Sequence, residues 1–240
     1  MTATEPTILA TSMGFDKAGR NAADWKPGPV FSLAFELAGS PDRPRLCFLA
    51  TAGGDSDRRI AGYYAAFAGS DVRTSHISLF EMPNVDDVAA HLAAQDVVWV
   101  DRGSLANLVA VWQVHGLPDV LRECWRSGVV LGGESAGSLC WHTGGTTDSY
   151  GPKVAAADGL GFLPFSNAVH FKHRRKIHKR LIAEGRLDGG YATDAGAGLV
   201  YRGDELAEVV ADRDGAYGYR LTRDTDGRVS EAQLEPRLLR

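Results

Sequence analysis

The stretch Gly128–Leu139, GVVLGGESAGSL, decides how this chain folds. Val129, Val130 and Leu131 form an unbroken apolar run, the mark of a strand buried on both faces of a parallel sheet. Gly133-Glu134-Ser135-Ala136-Gly137 then fits G-x-S-x-G, which between a strand and a helix sets a serine on a sharp turn above the sheet edge. The glycines on either side let neighbouring backbone approach without a Cβ clash. The N–H of Ala136 faces the same space, and a following helix adds the positive end of its dipole. The same five residues also suit a plain glycine-rich turn whose serine only caps the helix. Spacing alone leaves both readings open.

Outward from this corner, short apolar runs alternate with helical patterns. Strands are expected at 6–11, 45–51, 72–80 and 96–100. Helices are expected over the segment DSDRRIAGYYAAFAG, at 85–94 with Asn84 as its cap, at 104–115 stopped by Gly116, and at 118–128 with proline in its first turn. Strands that alternate with helices predict an α/β fold, a mostly parallel sheet flanked by helices. The second half is less regular. It predicts a short strand at 166–171, a helix at 173–185, and antiparallel strands in GYATDAGAGLVYRG, ELAEVVADR and AYGYRLTRD. The glycine-rich segment 142–165 reads as a loop over the site. No repeat or low-complexity linker divides the chain, so residues 1–240 are expected to form a single domain.

Composition narrows the function classes. The hydrophobic fraction of 44% and the charged fraction of 23%, with 28 glycines, suit a soluble globular protein with many tight turns. A net charge of −4 argues against a nucleic-acid surface, which is usually basic. No apolar run approaches the roughly 18 residues of a membrane span. The segment MTATEPTILATSMGF lacks a secretory pattern, and Cys47, Cys124 and Cys140 are scattered without metal spacing. The expectation is a cytoplasmic monomer or small homo-oligomer with reduced thiols, no metal and no cofactor.

A reactive serine needs a base. His76 lies in a strand pattern and His91 and His115 in helices, where structural roles are expected. His173 and His178 lie in HRRKIHKR, which reads as a solvated basic face. His170 differs, because it ends the apolar segment NAVHF just before a helix, where a side chain projects from a strand edge. For a second oxyanion donor, Asp101-Arg102-Gly103-Ser104 follows the strand ending VVWV, and adjacent parallel strands share one crevice at their carboxyl ends. Gly103 there either donates its N–H or simply permits a tight turn.

With these residues in hand, the chain resembles the peptidase E family of serine peptidases, the aspartyl dipeptidase and cyanophycinase group, most of all its actinobacterial type. The likeness is carried by LANLVAVWQVHGLPDVLRECWRSGVVLGGESAGSLCWHTGGTTDSYGP, by DGLGFLPFSNAVHF and by GYATDAGAGLVYRG. It implies a three-layer, flavodoxin-like fold similar to class I glutamine amidotransferases, with antiparallel strands in the C-terminal part. By position, Ser135 matches the family nucleophile and His170 its base. Gly103 and Ala136 match the oxyanion donors. The resemblance implies metal-free hydrolysis of a small peptide with an N-terminal aspartyl residue, or a related amide. Arg102, Ser104, Lys172 and Arg174 are candidates to bind that acidic substrate; Lys172, Arg174 and Arg175 equally suit a solvated helix face.

Three departures from the family pattern stand out. The glycine-rich oxyanion turn carries Asp101 and Arg102 in place of two glycines. The acid taken as the third catalytic member is Ala195 here, leaving neighbouring Asp194 as the substitute. The segment after the histidine, FKHRRK, is basic where the family carries an acid. These departures keep an alternative open: a catalytically impaired or repurposed relative that serves as a ligand-binding protein, a partner protein or an acyl transferase.

Overall fold

A computed structural model describes residues 3–17 and 24–240. In chain order, β1 (Thr7–Thr11), β2 (Phe15–Lys17) and β3 (Trp25–Pro27) precede α1 (Pro29–Leu37). Next come β4 (Arg45–Leu49), α2 (Asp57–Phe67), β5 (Arg73–Ile77), α3 (Val88–Ala93), β6 (Val97–Val100), α4 (Leu105–Val114), α5 (Leu117–Arg126) and β7 (Val130–Glu134). The second half holds α6 (Ala136–Leu139), β8 (His142–Thr147), β9 (Ala155–Asp158), β10 (Leu163–Ala168), α7 (Phe171–Ala183) and β11 (Gly190–Thr193). It closes with β12 (Ala197–Arg202), β13 (Glu205–Ala211), β14 (Gly218–Arg223), β15 (Val229–Leu234) and β16 (Arg237–Leu238).

An eight-stranded sheet runs in the order β16-β13-β12-β1-β7-β6-β4-β5, and β1, β7, β6, β4 and β5 are parallel to one another. Its strands are apolar on both faces for a visible reason. Leu9, Leu46, Phe48, Val97, Trp99 and Val130 pack with Val30, Phe31, Tyr63 and Phe67 of α1 and α2. The alternate residues Ile8, Cys47, Leu49, Val98, Val100 and Leu131 pack under α3, α4, α5 and α6. A strand covered by helices on both sides has no face left for polar residues. The sequence expectation of a parallel sheet between helices therefore holds.

A second, six-stranded sheet runs β15-β14-β11-β10-β8-β9. Leu163 and Tyr191 on one of its faces join the core beneath the large sheet, while Ala168, Ala192, Tyr219 and Leu221 take the apolar side of α7. Among the described residues, no helix is long and apolar enough to cross a membrane.

Four expectations need correction. Segment 142–165 is not a covering loop: it supplies β8, β9 and the start of β10, with β8 and β9 paired antiparallel from Gly144–Asp158 to Thr147–Ala155. Its glycines disguise a strand that Thr146 and Thr147 favour. Strand β11 runs parallel to β10, and only its other edge, against β14, is antiparallel. Helix α3 is capped by Asp87, whose carboxylate accepts the Ala90 N–H, whereas Asn84 accepts the Ser78 N–H. His178 is not on a solvated face. It is fully buried beside the Phe171 ring, and burial pulls its pKa down to about 4.

Candidate active site

The site forms where β1, β7 and β6 end side by side. Thr11 pairs with Glu134 and Val100 with Gly133, so the three strands stop at the same level. Ser135 leaves β7 with φ 59° and ψ −108°, and its N–H donates to the Thr11 carbonyl at 3.0 Å. Positive φ costs a non-glycine residue on the order of 1–2 kcal/mol, so the surrounding packing must impose it. Gly137 shows how: a Cβ there would lie 2.1 Å from the Val100 carbonyl oxygen, so only glycine lets the turn lean this closely on β6. Helix α6 has only four residues, too few for the full dipole expected from the sequence. What remains is the N–H of Ala136, which has no acceptor among the described residues.

Beyond β6 the chain turns through Asp101 to Ser104. Gly103 has φ 151°, and a Cβ on it would sit 1.9 Å from the Ala52 carbonyl oxygen, so no other residue fits. Its N–H, like that of Ala136, has no acceptor among the described residues. The two charged residues before it are each neutralised. The Asp101 carboxylate accepts from the Tyr63 hydroxyl at 2.5 Å and from Arg59, which also donates to the Arg102 carbonyl at 2.9 Å. The Arg102 guanidinium pairs with the buried carboxylate of Glu134, the residue before Ser135. This pair joins the Gly103 turn to the serine turn. Ser104 is spent on structure: its hydroxyl accepts the Asn107 N–H at 3.2 Å and caps α4.

His170 lies between β10 and α7 in the left-handed region, with φ 52° and ψ 45°. Its N–H donates to the Ser12 hydroxyl at 3.2 Å, one residue along from the Thr11 carbonyl that holds Ser135. No side chain among the described residues hydrogen-bonds its ring. Burial pulls the His170 pKa below the ordinary histidine value; the charges of Arg174, Arg102 and His173 push the same way, and Asp148 opposes them. The imidazole is therefore neutral at pH 7 and able to take a proton.

The structure does not bring Asp194 to that ring. Its carboxylate accepts from the Tyr219 hydroxyl at 2.8 Å and its N–H donates to the Tyr217 carbonyl, which braces the end of β11 against β14; Ala195 is exposed. The charge of Asp148, an exposed residue just past β8 that is bonded to Arg174, raises the His170 pKa, and the sequence reading did not single it out. A carboxylate directly after a strand that pairs with the histidine's own strand was the available signal. Arg174 donates to the Thr146 carbonyl at 2.5 Å and to Asp148 at 3.2 Å. Lys172 is exposed, and Arg175 turns away, over the Phe171 and Tyr219 rings and beside Glu231. Of the expected cationic rim, Arg102 and Arg174 lower the His170 pKa by their charge. No group of three or more His, Cys, Asp or Glu side chains able to hold a metal occurs among the described residues.

The model of peptidase family S51 matches residues 30–209. An uncharacterized peptidase of Bacillus subtilis (strain 168), YgaJ, is 42% identical over 183 residues, 75% of this chain and 79% of that protein. Two crystal structures share the fold. One is a peptidase from an acI-B1 actinobacterium, with a TM-score of 0.61 and 18% identity, covering 97% of this chain and 95% of its own. The other is a putative peptidase E protein from Listeria monocytogenes EGD-e, with a TM-score of 0.55 and 17% identity, covering 85% of this chain and 97% of its own. The expected likeness to peptidase E therefore holds in both sequence and fold. This chain belongs to peptidase family S51, and it is a serine peptidase.

Proposed function

We propose that the protein hydrolyses a small peptide with an N-terminal aspartyl residue, or a related amide, in the cytoplasm, with Ser135 as nucleophile and His170 as base. The observation that carries this reading is that Ser135 and His170, two of the four non-glycine residues with positive φ among the described residues, are both held by the adjacent residues Thr11 and Ser12. Backbone strain that the fold maintains at two positions tied to one dipeptide supports a chemical role for their side chains.

The imidazole takes the Ser135 Oγ proton as Oγ bonds to the substrate carbonyl carbon. The N–H groups of Gly103 and Ala136, otherwise without acceptors, receive the negative charge on the carbonyl oxygen. The His170 proton then passes to the amine, the C–N bond breaks, and water releases the acyl group by the same steps. Asp148 supports the imidazolium through space, a weaker arrangement than a hydrogen-bonded acid. Arg102, although paired with Glu134, and Arg174, although paired with Asp148, are the guanidinium groups that an acidic substrate group would meet.

Among the described residues no acid bonds to the His170 ring, and that favours the second reading, an impaired relative that binds but turns over poorly. Hydrolysis of Asp-X dipeptides by the wild type, Ser135→Ala and His170→Ala separates the two. Turnover in the wild type that both variants lose supports the peptidase; binding without turnover supports the alternative.

A further inference from the structure

Ser135 and His170 leave strands of two different sheets, so something must set one against the other. The junction is the dipeptide Thr11-Ser12 at the end of β1. Its Thr11 carbonyl accepts the Ser135 N–H at 3.0 Å, and its Ser12 hydroxyl accepts the His170 N–H at 3.2 Å. We propose that Ser12 is a positioning residue whose hydroxyl fixes the imidazole of His170 relative to Ser135. The inference rests on the reading of those two residues as nucleophile and base.

Ser12 is only 5% exposed, and each of its polar groups is committed. Its N–H donates to the Ala197 carbonyl at 2.8 Å, and its own carbonyl accepts the Gly196 N–H at 3.0 Å. Because its hydroxyl oxygen accepts from His170, the hydroxyl proton is free to go to Thr193, whose hydroxyl lies 2.7 Å and whose carbonyl lies 3.4 Å away. The Ser12 oxygen thus stands on a braced backbone with a fixed lone pair aimed at His170. A left-handed residue ahead of a helix is unfavourable unless something holds it. Without the Ser12 oxygen, His170 can relax toward helical geometry and extend α7 backwards by one residue. The imidazole would then swing away from Ser135 and from the charges of Arg102 and Arg174. Ser12 itself touches no reacting atom.

The test uses the full chain and a fluorophosphonate probe, with the rate of labelling at Ser135 measured across pH. Ser12→Ala should label roughly 10- to 100-fold more slowly, since misplacement of about 1 Å costs on that order. Its acid limb should rise toward the ordinary histidine value. Ser12→Thr keeps the hydroxyl and should recover most of the rate. A Ser12→Ala protein that labels at the wild-type rate overturns the proposal, as does a Ser12→Thr protein as slow as Ser12→Ala. Should Ser12→Ala fail to fold, Thr193→Val removes the nearer of the two groups that orient the Ser12 hydroxyl. It should slow labelling several-fold with the same pH shift, and an unchanged rate overturns the idea. An unlabelled wild type would overturn the nucleophile assignment itself, an outcome distinct from equal rates in wild type and Ser12→Ala.

Discussion

Ser135, His170 and Gly103 have the least freedom to change. Ser135→Ala should lower turnover by about 10⁶ while leaving the fold intact, because the remaining groups carry no nucleophile. Gly103→Ala must move either the Ala52 carbonyl or the turn itself, and should cost on the order of 10² to 10³ in kcat, the usual loss of one oxyanion donor. Near-wild-type kcat in that variant would remove Gly103 from the reaction. The pH profile tests Asp148. Burial and the nearby cations already lower the His170 pKa, and the Asp148 charge raises it. Asp148→Asn therefore removes support for the imidazolium and should move the acid limb of kcat/KM to lower pH, with a smaller kcat. Asp194→Asn should leave that limb in place, because its carboxylate is spent on Tyr219. A limb that moves with Asp194 instead of Asp148 would reverse the two assignments.

Among the elements, α7 links stability to pH. His178 is buried and neutral, with a folded pKa near 4 against an ordinary 6.5. The unfolded chain takes up the proton first as the pH falls, so the stability is complete above about pH 6.5 and is lost progressively toward pH 4. Between pH 7 and pH 5 this amounts to about 2 kcal/mol. His178→Leu should flatten that part of the stability curve, as measured by denaturant unfolding at both pH values; an unchanged slope would show that the proton is taken up elsewhere. Reading the elements from sequence succeeded where burial is uniform. The strands at VVL and VVWV are apolar because helices cover both faces. It failed where composition masks geometry. His178 lies three and four residues before Leu181 and Ile182 and so shares their buried face, yet its basic neighbours suggested solvent. In segment 142–165 the glycines of β8 and the alanines of β9 mask the strand signal of Thr143, Thr146 and Thr147.

At the scale of the whole molecule, the site depends on both sheets, since Ser135 follows a strand of one and His170 a strand of the other. Position along the chain placed both residues near a crevice, but the Thr11-Ser12 junction was not legible. It is made of contacts between segments more than a hundred residues apart, which no local pattern encodes. The family match ends at residue 209, yet β14, within the last thirty residues, covers the edge of β11 and supplies Tyr219 to Asp194. A chain cut after Ala211 should therefore lose cooperative unfolding by near-ultraviolet circular dichroism, and retained cooperativity would show that β14, β15 and β16 are dispensable. The central claim is that Ser135 is a nucleophile activated by His170. Fluorophosphonate treatment followed by peptide mapping tests it most directly. The adduct is expected on Ser135 in the wild type and absent from His170→Ala, while an adduct on another residue, or equal labelling without His170, would contradict the account.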